Sequence, residues 1–199
     1  MSGLLFFWFS WMAWVILTFI MPKNEYRTEL SCWLLLIIIT SNLYFSFSGI
    51  TLTVVVFVLL MGGGIWMIKL KRTFAHSLYS FVVMIAFASA QLWEANLPIL
   101  YINPIFKITP FVLVIIIFFL TKQIQGQLII GIIGMTFGDI LFQYILYGYG
   151  LSVDIGGMEF LDDLLLTIVL ISLLHILVRI RNKIVSIIFN HHLTRWQNE

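Results

Sequence analysis

The side chains best placed by type and spacing to do chemistry are few, and the first is Asp139 in the run "IIGIIGMTFGDILFQY" (129–144). Gln143 follows at i+4 and Tyr147 at i+8, so a helix through this run carries three polar groups on one face. A carboxylate so placed can hold a proton or a small cation. In hydrocarbon its placement costs at least about 2.5 kcal/mol, which marks it as a functional candidate. The second group is "AFASAQLWEAN" (86–96), where Gln91 and Glu94 share a face at i+3. Asp139, Gln143, Gln91 and Glu94 together make a candidate intramembrane polar site for a carrier or channel. The competing reading is packing, with Asp139 protonated or hydrogen-bonded to the fourth helix near Gln91.

Other chemistry is thinly represented. His175 precedes Arg179 by one turn, and no His, Cys or carboxylate lies at i±3 or i±4 to complete a metal site. A hydrogen bond into the interior is its expected role. His191 and His192 are adjacent, so their side chains diverge on a helix. The segment "GLSVDIGGMEFLDD" (150–163) gathers Asp154, Glu159, Asp162 and Asp163 without the loop spacing of a calcium site, and these acids are expected to be solvated. Asp162 and Asp163 open a helix, where the positive end of its dipole favours them. Neither H-E-x-x-H nor G-x-S-x-G occurs, and no Ser and His pair at one depth. The expectation is a protein that is not an enzyme and takes no metal or cofactor. The single cysteine, Cys32, makes no internal disulfide.

The elements that must position these groups follow from composition. Of 199 residues, 61% are hydrophobic and 10% charged, against roughly 45–50% and 25% in soluble domains. A chain of this size leaves about a third of its surface exposed on folding, too much for water to accept this composition. Seven stretches approach the roughly 17–25 residues of a membrane helix: Gly3–Met21, Leu30–Phe47, Ile50–Ile68, Phe74–Trp93, Pro104–Leu120, Gln127–Gly148 and Leu161–Val178. Continuous apolar runs favour helices over barrel strands. Between the second and third, only "SFSG" (46–49) intervenes, which implies a very tight hairpin or else a count of six. Lys107 and Pro110 shorten the apolar part of the fifth.

Cytoplasmic loops carry Lys and Arg. Seven crossings with the N-terminus outside place Lys23, Arg27, Lys69, Lys71, Arg72, Lys122, Arg179, Arg181, Lys183 and Arg195 inside, and Lys107 alone outside. Removing one crossing would invert every later loop and mix the charges. The expected fold is therefore an all-α, polytopic membrane bundle of about seven helices, N-out and C-in, spanning 1–181. Residues 182–199 form a cytoplasmic tail whose Ile184, Ile187 and Ile188 face the inner leaflet. No basic residue precedes the first helix and no small-residue cleavage site follows, so it is expected to stay in the protein. Ser2 before Gly3 departs from the N-myristoylation pattern.

Small residues mark the packing faces. Gly131, Gly134 and Gly138 lie beside the polar face of the sixth helix, and Gly134-x-x-x-Gly138 is a spacing for close helix approach. Ala86, Ser89 and Ala90 make the fourth helix its expected partner. Gly62, Gly63 and Gly64 are expected to allow a kink or a very close contact, rather than a broken helix around an ion. Trp8 and Trp11 suit the outer interface, and Trp14 a contact between helices.

The opening "FFWFSWMAWVILTFIMPK", the charged loop "NEYRTE", the length and the basic tail resemble the YphA-like small membrane proteins of spore-forming bacilli. The resemblance implies a multi-pass protein of the bacterial cytoplasmic membrane with a part in spore envelope assembly, and supplies no catalytic residues. The expected partners are the lipid bilayer and other membrane proteins or a second copy, with no nucleic acid. The few polar positions favour a structural or assembly role, and a carrier of protons, cations or small solutes is the alternative.

Overall fold

The computed structural model describes residues 3–47, 49–70, 72–96 and 107–196, with side chains as far as 183. Seven α-helices occur among them: α1 (Leu4–Val15), α2 (Glu25–Thr40), α3 (Val55–Ile68), α4 (Thr73–Asn96), α5 (Ile108–Leu120), α6 (Ile124–Gly148) and α7 (Met158–Trp196). A π turn, Ile16–Ile20, extends α1. Pro22, which has no N–H to donate, follows its end. By length and composition α4, α6 and the Met158–Lys183 part of α7 can cross a membrane, while Leu4–Ile20, Val55–Ile68 and Ile108–Leu120 are shorter apolar helices.

The chain departs from the all-α expectation between α2 and α3. Strands β1 (Tyr44–Phe47) and β2 (Ile50–Thr53) pair antiparallel, with Phe47 opposite Ile50. Strand β3 (Val153–Ile155) adds to β2 in parallel, with Ile50 opposite Val153. The tight connection at Ser46–Gly49 thus belongs to a β-hairpin, and the expected second and third spans each lose residues to it. Gly49 supplies φ +87 beside the turn, a conformation that a Cβ disfavours. The physical reason is composition: "YFSF" and "ITLT" alternate Ser or Thr with aromatic and aliphatic residues, which suits a pleated surface.

Helix α6 is the axis of the bundle. Its apolar window is 56% buried, against 28% for those of α4 and α7. The core of Phe6, Leu59, Val83, Phe87, Ile130, Met135 and Leu161 gathers round it. Contact with α4 is the most extensive, and glycine makes it so. A Cβ on Gly134 would lie 2.7 Å from Val83 Cβ and 2.8 Å from the Ser80 carbonyl oxygen. One on Gly138 would lie 2.9 Å from the Met84 carbonyl oxygen. Gly131 faces Ile117 of α5 at 3.4 Å.

In α3 the glycine triplet leaves the helix unbroken. Gly62 accommodates the Trp33 indole, whose Nε1 donates to the Val58 carbonyl at 3.2 Å. Gly63 admits Ile133 of α6, and Gly64 faces open space. Helix α7 continues through 181–182 as far as Trp196. The expected leaflet-facing side chains of the tail, from Ile184 on, lie outside the described residues.

Candidate functional site

Asp139 is only 3% exposed. Its Oδ2 accepts a hydrogen bond from the Gly156 backbone N–H at 2.8 Å, in the turn between β3 and α7. That turn passes close because Gly156 has φ +72 and no side chain, and a Cβ there would collide with Val56. One turn along, Gln143 Oε1 lies 3.4 Å from the Asp154 N–H, which donates to it. The polar face of α6 therefore holds the β3 segment and not α4. The expected bond toward Gln91 is absent among the described residues. The reason is angular: Gly138 faces α4, and the next residue on a helix points about 100° away.

Three further acids of this end are also engaged. Asp162 is buried, and its two carboxylate oxygens accept from the N–H groups of Gly3 and Phe6, each at 2.7 Å. A side chain of α7 thereby caps α1, whose first N–H groups have no partner within the helix. Glu94 Oε1 accepts from Thr109 N at 2.7 Å and so caps α5 from α4. Pro110 sits in the first turn of α5, where its missing N–H costs little. Asp163, 1% exposed, pairs with Lys107 at 2.8 Å and accepts from Gln91 Nε2 at 3.1 Å. The expectation of solvated acids is thus corrected for Asp162 and Asp163. In the second turn of α7 their side chains point inward, and partners distant in sequence compensate their burial.

At the opposite end Gln127 is 1% exposed. Its amide nitrogen donates to the Thr121 carbonyl at 2.5 Å, leaving its oxygen to accept from His175 Nε2 at 2.7 Å. His76, also buried, places Nδ1 2.7 Å from the Arg72 carbonyl. Among the described residues no three of His, Cys, Asp and Glu converge as metal ligands.

Cavities accompany these layers, and two of them are lined by described residues. One of about 600 Å³ lies against the small sheet, lined by Ser41, Tyr44, Thr51, Thr53 and Asp154 among others. There the Thr51 hydroxyl donates to Asp154 Oδ1 at 2.8 Å. The other, of about 510 Å³, is an apolar groove between α3 and α4 with α6 as its floor. Asp139 lines neither.

The family described as YphA-like integral membrane protein matches residues 2–198. The chain belongs to that family. Among its relatives is a protein of Bacillus subtilis (strain 168) named "Uncharacterized protein YphA", 23% identical over 166 residues that cover 81% of each chain. No solved structure matches. The family is one of integral membrane proteins, and the apolar helices of this YphA-like chain accord with it.

Of the four candidate polar residues, the structure joins Asp139 and Gln143 to one segment, and Gln91 and Glu94 to another. Sequence reasoning passed over Lys107, Asp162 and Asp163 as site residues. Acids just inside an apolar helix were the available signal, together with Lys107 as the one Lys or Arg between Arg72 and Lys122.

Proposed function

We propose that this protein is a structural or assembly factor of the bacterial cytoplasmic membrane, crossing it seven times with its N-terminus outside. The observation that carries this reading is the engaged setting of Asp139: a carboxylate only 3% exposed whose Oδ2 accepts from the Gly156 backbone N–H at 2.8 Å. A carrier's acid has to exchange its proton or cation with water. This one is committed to holding the β3–α7 turn against α6.

The ten-to-one distribution of basic residues supports the orientation. Aromatic side chains exposed near the ends of elements assigned to the outer side, including Trp8, Tyr44, Trp93, Tyr144 and Tyr149, suit an interfacial belt. Spore envelope assembly, which the family resemblance implies, is the process to examine in a deletion strain.

Asp139→Asn tests the reading, because the amide keeps an acceptor for Gly156 and loses the ability to ionise. Normal membrane level with normal phenotype is expected. Full loss of phenotype at normal level would overturn the structural role in favour of proton or cation transport. For the orientation, reporter fusions after Leu70, Asn103 and Gln125 are expected to read inside, outside and inside. An outside signal at the first would reverse it.

A further inference from the structure

We propose that the groove between α3 and α4 is a binding site for an anionic phospholipid, with an acyl chain lying in the groove and the headgroup held at the α3–α4 turn. The two helices are joined at one end by the short segment between Ile68 and Thr73 and have little contact elsewhere, while each packs on α6. The cleft that remains holds about 510 Å³. Its walls are Leu60, Gly64 and Met67 on one side and Phe81 and Met84 on the other, with Phe137 on the floor. Ser80 adds no free polar demand, because its hydroxyl donates to the His76 carbonyl at 3.0 Å. Gly64 keeps the wall open, since a Cβ there would meet nothing within 4 Å.

Charge identifies the occupant. The segment that joins α3 to α4 carries Lys69 and Arg72, with Lys71 between them in sequence. Lys69 shares its charge with Glu29 at 3.2 Å, both half-exposed. Arg72 is exposed and makes no ion pair among the described residues. Directly after it α4 begins, and the positive end of that helix dipole favours an anion at the same place. A phosphate diester at this level meets a cation and a helix N-terminus, with an apolar channel beginning beside it. A second copy fits less well. Two-fold pairing through this face would set one basic turn beside another, and the large side chains on both walls hinder the close approach that helix pairs in membranes use.

The inference rests on the orientation proposed above only for the leaflet that supplies the lipid. Binding in detergent is blind to orientation, so failure here and failure of the fusions are separate results. The full chain, purified in detergent and exposed to an equimolar mixture of phosphatidylglycerol and phosphatidylcholine, is examined for retained lipid by native mass spectrometry. Preferential retention of phosphatidylglycerol is expected. Arg72→Gln should lower that preference about fivefold, the equivalent of about 1 kcal/mol for one basic residue near an anionic surface. Gly64→Leu, whose side chain enters open space, should reduce retention of both lipids while the protein stays folded. Equal retention of the two lipids by the unaltered protein, or wild-type retention by both variants, would overturn the proposal. So would efficient cross-linking of two copies through Met67→Cys or Phe81→Cys, which would give the groove to a second copy.

Discussion

The two ends of this bundle treat polar groups in opposite ways. At the end that holds the small sheet, Asp139, Asp162, Asp163 and Glu94 each reach across to a different element, and three of them accept from backbone N–H groups. At the α3–α4 turn, cations stand exposed beside an apolar cleft, with one surface pair between Lys69 and Glu29. The first arrangement ties elements together. The second leaves charge available to something outside the chain. Buried carboxylates are therefore signs of architecture here, and the exposed bases are the better guide to recognition.

Substitutions at the two ends should separate accordingly. The largest effect is expected from Lys107→Met, which leaves Asp163 buried without its cation. Breaking such a pair costs about 3–5 kcal/mol, nearer the lower figure here because the lysine side chain is 31% exposed. Protein level and thermal unfolding in detergent should both fall, and adding Asp163→Leu should recover much of the loss. If the single variant is as stable as the parent, the layer that holds Lys107 and Asp163 is not a stabilising network.

Gly134→Leu comes next, at about 1–3 kcal/mol from overpacking, because the new side chain meets Val83 and the Ser80 carbonyl. Gly64→Leu is the matched control on the groove side and should leave unfolding within about 0.5 kcal/mol. Equal destabilisation by the two would erase the distinction between a filled interface and an open cleft. Asp162→Ala is the mildest of the three destabilising variants, costing about 1 kcal/mol as a lost helix cap. Its mark should be local: a cysteine at Ser10, buried in α1, should label faster in this variant, and an unchanged rate would show that the cap is dispensable.

The helical part of the fold was legible because apolar runs of membrane length leave the chain few alternatives. The α4–α6 contact was legible for a related reason, since Gly134 and Gly138 advertise a close approach before the partner is known. The hairpin was hidden inside what looked like two adjoining spans. Its period-two alternation, from Tyr44 to Thr53, covers too few residues to stand out from the apolar runs on either side. The partners of the acids were harder still. Asp162 finds Gly3 and Phe6, and Asp163 finds Lys107, across sequence separations that no local pattern encodes. Spacing along α6 put Asp139 and Gln143 on one face, yet the identity of their neighbour depended on where β3 and the turn after it pass.

The cap that Asp162 places on α1 also bears on the order in which the bundle closes. Synthesis delivers α1 well before α7, so α1 waits through the 159 residues that separate Gly3 from Asp162 before its leading N–H groups acquire their carboxylate. The cation of Lys107 waits for Asp163 of the same late turn. A nascent chain arrested before residue 162 would hold several inserted helices and still lack the residue that closes α1 onto α7. Arrival of α7 is thus the event that closes this bundle, and a membrane protease acting on loosely held helices would find its substrates among chains that have not reached it.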